Sequence, residues 1–490
     1  MRLPVALLTV AYLLAGQLAD KANAARSPIH ATGTTALSQK IDALIAQEMK
    51  ERRIPGAQVA VAQNGRIIFA GAYGWANLQT PVRVSNATLF SINSATKSFT
   101  GVAIMQLVER GKLDLDASIS VYLDDLPPSW RAATVRDLLA HVSGLPNIID
   151  PRTGAMLGAS EAEAWSIVRE KGLEFTPRTR SSYNQTNYLL LGKIIEKLSG
   201  ETFPAFTKAH QFAAVPMPTA GFGDSRDVIL GKSQSYRFDY STLPQGTLRP
   251  VYEEFPSGLL PGAGINATAT DLAAWLVALM DGKLIKPDPS LKDLWSAPRL
   301  VDGTRASWAL GWPLRTRREL VIPSGLGGGR SAFSVYPDKK LAVVVLTNLS
   351  GANPEDFLDN VAHVFAPSIR ASDVANLRDQ LNSRGFSAAT GLVDAATRSG
   401  TPLDLPEGEL NSWAYRLLRS GDRRGSMEIF KLVAYLYPSS ANAHDSLGEA
   451  YLGAGDVEQA IASYEESLRL NPSNGNAAEQ LRILRTRAQR

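Results

Sequence analysis

Two strand pairs, far apart in the chain, constrain the fold most. "GAQVAVAQNGRIIFAGAYGWA", from Gly56 to Ala76, holds two β-rich runs on either side of Asn64-Gly65. That dipeptide accepts the positive φ values of a two-residue hairpin turn. "SAFSVYPDKKLAVVVLTN", from Ser331 to Asn348, repeats the logic with a strand, a Pro337-Asp338 turn and a second apolar strand. Helical spacing precedes the first pair over Ile41–Arg52 and fills most of the interval between the pairs, at Ser98–Arg110, Val135–Leu139, Tyr188–Leu198 and Thr270–Met280. Strands at both ends with helices between them predict an α+β layout, an antiparallel sheet flanked by helices with a helical subdomain.

From Ala371 onward strand signals vanish and a repeat begins. Gly421 and Gly455 lie 34 residues apart, as do Leu417 and Tyr451, Phe430 and Tyr464, and Pro438 and Pro472. With Leu447-Gly448 and Ala460 this is the tetratricopeptide pattern, in which small residues let paired helices approach and aromatics fill between them. A plain helical hairpin pair would have nearly the same shape. Two repeats are marginal alone, so the module is expected to pack on the rest of the chain or on Ala371–Gly400, with Asn476–Ala488 as a cap. The partition expected is 1–24 leader, 25–36 linker, 37–367 main domain, 368–405 helical connector and 406–490 repeats, the last a surface for a protein partner.

Composition removes several function classes. The 490 residues are enough for two domains or more, and 44% apolar with 20% charged residues fits a folded chain. A net charge of +4 gives no basic tract for nucleic acid. Cysteine is absent, which excludes disulfides, thiol catalysis and thiolate metal sites. None of the five histidines (His30, His141, His210, His363, His444) has metal-ligand spacing, so no metal is expected. Arg2, the apolar run Leu3–Gly16 and "ANA" at Ala22–Ala24 read as a secretory signal cleaved after Ala24. The mature chain is thus expected in the periplasm or secreted, with no stable membrane span.

In "FSINSATKSFT", Ser94 and Lys97 are i and i+3 on a predicted helix and share a face. At a helix start, unsatisfied N–H groups and the dipole favour developing negative charge on the serine, and a buried lysine can serve as its base. A capping serine beside a solvated lysine gives the same string.

The surroundings separate these readings. "LFSINSATKSFTGVAIMQLVERGKLDLDASISVYL" resembles the nucleophile helix of serine β-lactamase-related proteins, the group of class C β-lactamases, DD-peptidases, D-aminopeptidases and related esterases. "TVRDLLAHVSGLP", "SSYNQTNYLLLGKIIEKLSG", "GLLPGAGINATATDLAAWLVAL", "WALGWP" and "LGGGRSAFSVYPDKKLAVVVLTN" resemble further family segments, in order, from about Leu37 to Pro367. The resemblance implies that Ser94 is the acylated nucleophile, Lys97 its proton acceptor and Tyr183 the phenol that relays protons to the leaving group. It puts the oxyanion between the N–H groups of Ser94 and Gly329. His141 falls in a structural helix-end segment and is expected to be a satisfied structural histidine. Neither Ser94 nor Ser257 has the G-x-S-x-G elbow of a Ser-His-Asp hydrolase.

Two positions depart from the family pattern. Gln185 replaces the asparagine of Tyr-x-Asn, keeping the amide but adding a methylene. The final triplet is Leu326-Gly327-Gly328, where relatives carry Lys or His first to help bind a substrate carboxylate. Leu326 supplies no charge, which favours a less anionic ester or amide over efficient β-lactam hydrolysis. Arg330 is close enough to compensate, or is a solvated surface residue. The chain is therefore expected to be an exported serine hydrolase without cofactor, acting on an ester, a D-amino acid peptide or amide, or a β-lactam-like substrate. The alternative is a penicillin-binding or sensor protein with little turnover and the repeats as its output.

Overall fold

The computed structural model describes residues 36–150, 154–241 and 245–488. The expected leader and nearly all of the linker lie outside them. The chain forms two compact units: one is the chain up to Arg237 with Pro250–Ser368, the other Phe238–Arg249 with Ile369–Arg490.

In the first unit, helix α1 (Ala36–Arg52) leads into β1 (Gly56–Gln63) and β2 (Arg66–Asn77). Asn64 and Gly65 turn between them with φ of 52° and 80°, the left-handed values that the dipeptide predicts. A short strand, β3 (Val82–Arg83), edges this side. The second predicted pair is present as β6 (Ser331–Tyr336) and β7 (Leu341–Thr347), preceded by β4 (Leu314–Arg317) and β5 (Leu320–Gly327). The sheet order is β3-β2-β1-β7-β6-β5-β4, antiparallel throughout. The two ends of the unit thus meet at β1 and β7, from Ala57 opposite Thr347 to Gln63 opposite Leu341. Both strands are buried almost throughout, which explains why they read as apolar runs rather than alternating ones.

Three helices of the inserted stretch matter for the site. α2 (Thr96–Glu109) is buried over its first twelve residues. α3 (Gln185–Ser199) is capped by Asn184, whose side chain accepts from the Asn187 N–H. α4 (Ala269–Met280) starts in a capping box of Thr268 and Asp271. An aromatic stack backs α2: Phe99 lies 3.9 Å from the Trp275 ring, which stacks on Trp312, and Phe333 meets Trp312 edge-on. Close approach sets the "LGWP" turn. Gly311, at φ 88°, leaves only 2.6 Å between a would-be Cβ and the Lys97 carbonyl, and Ser98 Oγ donates to the Gly311 carbonyl. The unit closes with α5 (Leu358–Phe365), where Asp359 accepts from Arg315, Arg317 and Tyr336.

In the second unit the described residues are mainly helical outside the segment Phe238–Arg249, whose Tyr240 ring lies 4.3 Å under the Arg419 guanidinium. Nothing in the sequence pattern signals that this segment groups with the tail. Seven helices follow: α6 (Asp373–Arg384), α7 (Ala389–Arg398), α8 (Glu407–Ser420), α9 (Arg423–Leu436), α10 (Ala441–Ala454), α11 (Val457–Leu470) and α12 (Gly475–Ala488). The 34-residue period is structural. Gly421 and Gly455 are left-handed C-caps, and Asp422 and Asp456 then cap the next helix. Gly448 permits contact with the Tyr464 ring, 2.9 Å from where a Cβ would sit. Val374, Leu377, Leu381 and Val393 share one core with Trp413, Phe430 and Leu447, so the repeats pack on the connector. Ala477, Leu481 and Leu484 cover Ala460 and Tyr464, as the expected cap.

Candidate active site

Ser94 sits in a single 3-10 turn, Asn93–Ala95, that runs into α2. No side chain caps either start, so Ser94 is not an N-cap. Lys97 is 0% exposed, so it is not a solvated lysine either. Its Nζ donates to Gln185 Oε1 and to the Gly262 carbonyl, both at 2.9 Å. It also lies over the rings of Tyr183 and Tyr188, at 4.7 and 4.9 Å from their centroids. Burial pulls its pKa below the ordinary lysine value, and Tyr183 offsets this only in part.

Tyr183 and Gln185 arrive together because the cap at Asn184 fixes the chain on entry to α3. The Tyr183 hydroxyl donates to Ser94 Oγ at 2.7 Å, and Gln185 Nε2 donates to that hydroxyl at 3.3 Å. Burial alone would raise the phenol. The Lys97 charge and the hydrogen bonds of Lys97, Ser94 and Gln185 overcome this and hold it below the usual tyrosine range. Gln185 therefore does what a shorter amide could: one end takes the lysine, the other serves the phenol. Gly262 was not singled out from the sequence, although "GLLPGAG" was. A Cβ there would stand 2.8 Å from Gln185 Oε1 and 3.1 Å from Lys97 Nζ.

The glycine strand end reaches the same place, with a shift. Gly327 packs so closely that a Cβ would lie 1.8 Å from the Ile92 carbonyl oxygen and 3.0 Å from the Ala95 nitrogen. Gly328 adjoins the Asn93 side chain. Gly329 instead faces Asn353 and Gly351, and its carbonyl accepts from the Asn353 N–H. Gly328 thus lies closer to the serine turn than Gly329, the residue the resemblance points to, and the chain leaves the strand end through the Gly328 N–H. Neither it nor the Ser94 N–H is taken up by a backbone carbonyl of the described residues. Leu326, half-buried opposite Ala332, alternates with Gly325 and Gly327 across the strand. A side chain at Gly325 would run into the Phe333 ring at 2.0 Å.

Two other candidates are corrected. Arg330 is 1% exposed, not a surface residue; its guanidinium is held by Asn93, Glu253 and Ser350. His141 is structural but not fully satisfied. Nδ1 accepts from the Asn184 N–H at 3.1 Å, while Nε2 is buried without a partner. Burial and the Lys97 charge hold its pKa well below the ordinary value, so it stays neutral. Its ring supports Tyr183 and Tyr188 at 4.7 and 5.1 Å. Ser257 only donates to Glu161. Among the described residues no cluster of His, Asp and Glu could hold a metal ion.

A serine hydroxyl joined to a phenol of lowered pKa, beside a lysine stripped of water, is an arrangement that fits a serine hydrolase. The chain belongs to the beta-lactamase family, whose model matches residues 41–366, and a tetratricopeptide-repeat model matches residues 441–474. It is similar to the N-acetylmuramyl-L-alanine amidase of Bacillus subtilis, 27% identical with 63% of this chain and 80% of that protein covered. It is similar also to protein flp of Staphylococcus aureus, 24% identical over 72% of each chain. Among solved structures, the octameric penicillin-binding protein homologue of Pyrococcus abyssi superposes with a TM-score of 0.56 at 25% identity, covering 68% of this chain and 77% of the other. The D-amino acid amidase of Ochrobactrum anthropi shares the fold, with a TM-score of 0.58 at 22% identity over 68% of this chain and 99% of the other.

Proposed function

We propose that this serine hydrolase forms an acyl-enzyme at Ser94 on an ester or on an amide of a D-amino acid or cell-wall peptide, outside the cytoplasm. The Ser94–Tyr183–Gln185–Lys97 chain of contacts carries the reading. With the Tyr183 proton held by Lys97 as ammonium, Ser94 Oγ attacks the carbonyl while its own proton passes to the Tyr183 phenolate oxygen. The same proton goes to the departing alcohol or amine, and water repeats the sequence to free the acid. The oxyanion lies between the N–H groups of Ser94 and Gly328.

Substrate charge follows from the cations beside the site. Lys97 and Arg330 are both engaged inside the protein, and Leu326 brings none. This favours acyl groups without a carboxylate at that end, in keeping with the amidase names among its relatives and away from penicillin-like anions. Purified protein and Ser94→Ala are to be assayed on p-nitrophenyl esters, D-amino acid amides and nitrocefin. Ser94-dependent turnover of neutral esters and amides, at least about tenfold above nitrocefin in kcat/KM, is the expected result. No Ser94-dependent turnover on any of them, with fluorescent penicillin still bound, would establish the sensor reading instead.

A further inference from the structure

We infer that Arg330 is a positioning residue for the oxyanion site, acting through Asn93 on one side and through its own turn on the other. The inference rests on the acyl-enzyme reading above and extends it to residues that never touch substrate. The Ser94 N–H belongs to the peptide plane that begins at the Asn93 carbonyl, so the Asn93 backbone angles aim it. Asn93 is left-handed, at φ 48°, a conformation that a side chain with a Cβ adopts only at a cost. Its amide is gripped at both ends. Arg330 Nη2 donates to Oδ1 at 2.6 Å, and Nδ2 donates to Glu253 Oε1 at 2.7 Å. Arg330 Nη2 also donates to Glu253 Oε2, closing a triangle of three side chains against the residue before the nucleophile.

The opposite wall is set by the arginine backbone. Its N–H donates to the Gly327 carbonyl at 3.0 Å, closing a turn through Gly328 and Gly329 at φ 60° and 61°. Its carbonyl accepts from the Thr347 N–H at 2.7 Å and from Thr347 Oγ1 at 2.9 Å, anchoring the turn to β7. One residue therefore fixes both peptide planes whose N–H groups must converge. Glu253 is itself placed by Ser225, which accepts from its N–H and donates to its carbonyl. Arg330 Nε is buried without a partner, so the guanidinium is committed to its two Nη groups. A lysine has no fork to reach Asn93, Glu253 and Ser350 together.

The test uses Arg330→Lys, Asn93→Gly and Glu253→Gln in the full chain, each checked for folding by circular dichroism. Two quantities are read: the kcat and KM on a p-nitrophenyl ester, and the affinity of an aryl boronic acid, which adds to Ser94 Oγ and places a tetrahedral oxygen in the oxyanion site. Arg330→Lys and Asn93→Gly are expected to lower kcat by about 10- to 100-fold, with KM within about threefold and boronate affinity falling in parallel. Glu253→Gln, which keeps one of the two acceptor oxygens, is expected to lower kcat less than Arg330→Lys. A structural role alone lowers the folded fraction or melting temperature without moving kcat per folded molecule. Folded Arg330→Lys and Asn93→Gly proteins with kcat and boronate affinity within threefold of an active wild type would overturn this inference alone. A wild type without Ser94-dependent reaction would overturn the acyl-enzyme reading and this inference with it.

Discussion

In the proposed mechanism proton traffic runs through one pair, Lys97 and Tyr183. Each lowers the cost of the other's unusual state: the ammonium favours phenolate, and the phenol's negative character restrains the fall of the lysine pKa. Turnover should therefore rise with pH along a limb whose apparent pKa lies below both ordinary values, 10.5 and 10.0. Tyr183→Phe removes the group that raises the Lys97 pKa, so neutral lysine persists to lower pH and the limb should move in the acid direction. At the same time kcat should fall by about 10²- to 10⁴-fold on an amide and less on a p-nitrophenyl ester, whose leaving group needs no proton. A pH–rate profile of the variant with its limb unmoved would show that the two groups are not coupled. Ser94, Lys97, Tyr183 and Gln185 were legible in the sequence because short motifs carry them. Gly262, Asn93 and Glu253 were not, since their contribution is a carbonyl, a backbone angle and a contact across 160 residues.

At the scale of elements, strand pairs and helices followed from apolar periodicity, and their ends from caps. What periodicity lacks is register. Gly327, Gly328 and Gly329 are identical letters, and only the approach of β5 to the Ile92 carbonyl tells which of them adjoins the serine turn. Ion pairs between elements were equally hidden. Arg52 of α1 donates to Asp356 and to the Ala352 carbonyl, tying the first helix to the turn before α5. Beside it the Glu355 carboxyl, with Oε2 buried and unpartnered, is pushed up to about 7 by burial and the Asp356 charge. The folded chain keeps this proton at pH values where the unfolded chain, near 4.5, has lost it. Stability from this group is thus present at low pH and declines as pH rises through about 7. Glu355→Gln should raise the urea midpoint at pH 8 more than at pH 5. An equal change at both pH values would mean that the carboxyl does not titrate with folding.

The whole molecule joins two kinds of order. The sheet unit depends on pairing between strands nearly 300 residues apart, as in the bridge of Ala57 to Thr347. The helical unit is built of neighbours stacked on neighbours, so damage there should stay local. Gly448→Ala tests this, because its methyl group would press on the Tyr464 ring. A cost of about 1–3 kcal/mol is expected, read as faster amide exchange confined to residues 441–484, with Ser94-dependent ester turnover unchanged. Faster exchange across β1 and β7 would contradict it.

The segment Phe238–Arg249 has a bearing on how the enzyme could be taken apart. Because that segment groups with the tail, the chain passes from one unit to the other three times, at 237/238, 249/250 and 368/369. A protease that cuts only near Ser368 leaves two polypeptides held by folding alone, the longer still contributing Phe238–Arg249 to its severed companion. Gene truncation at the same point would deprive Tyr240 of Arg419.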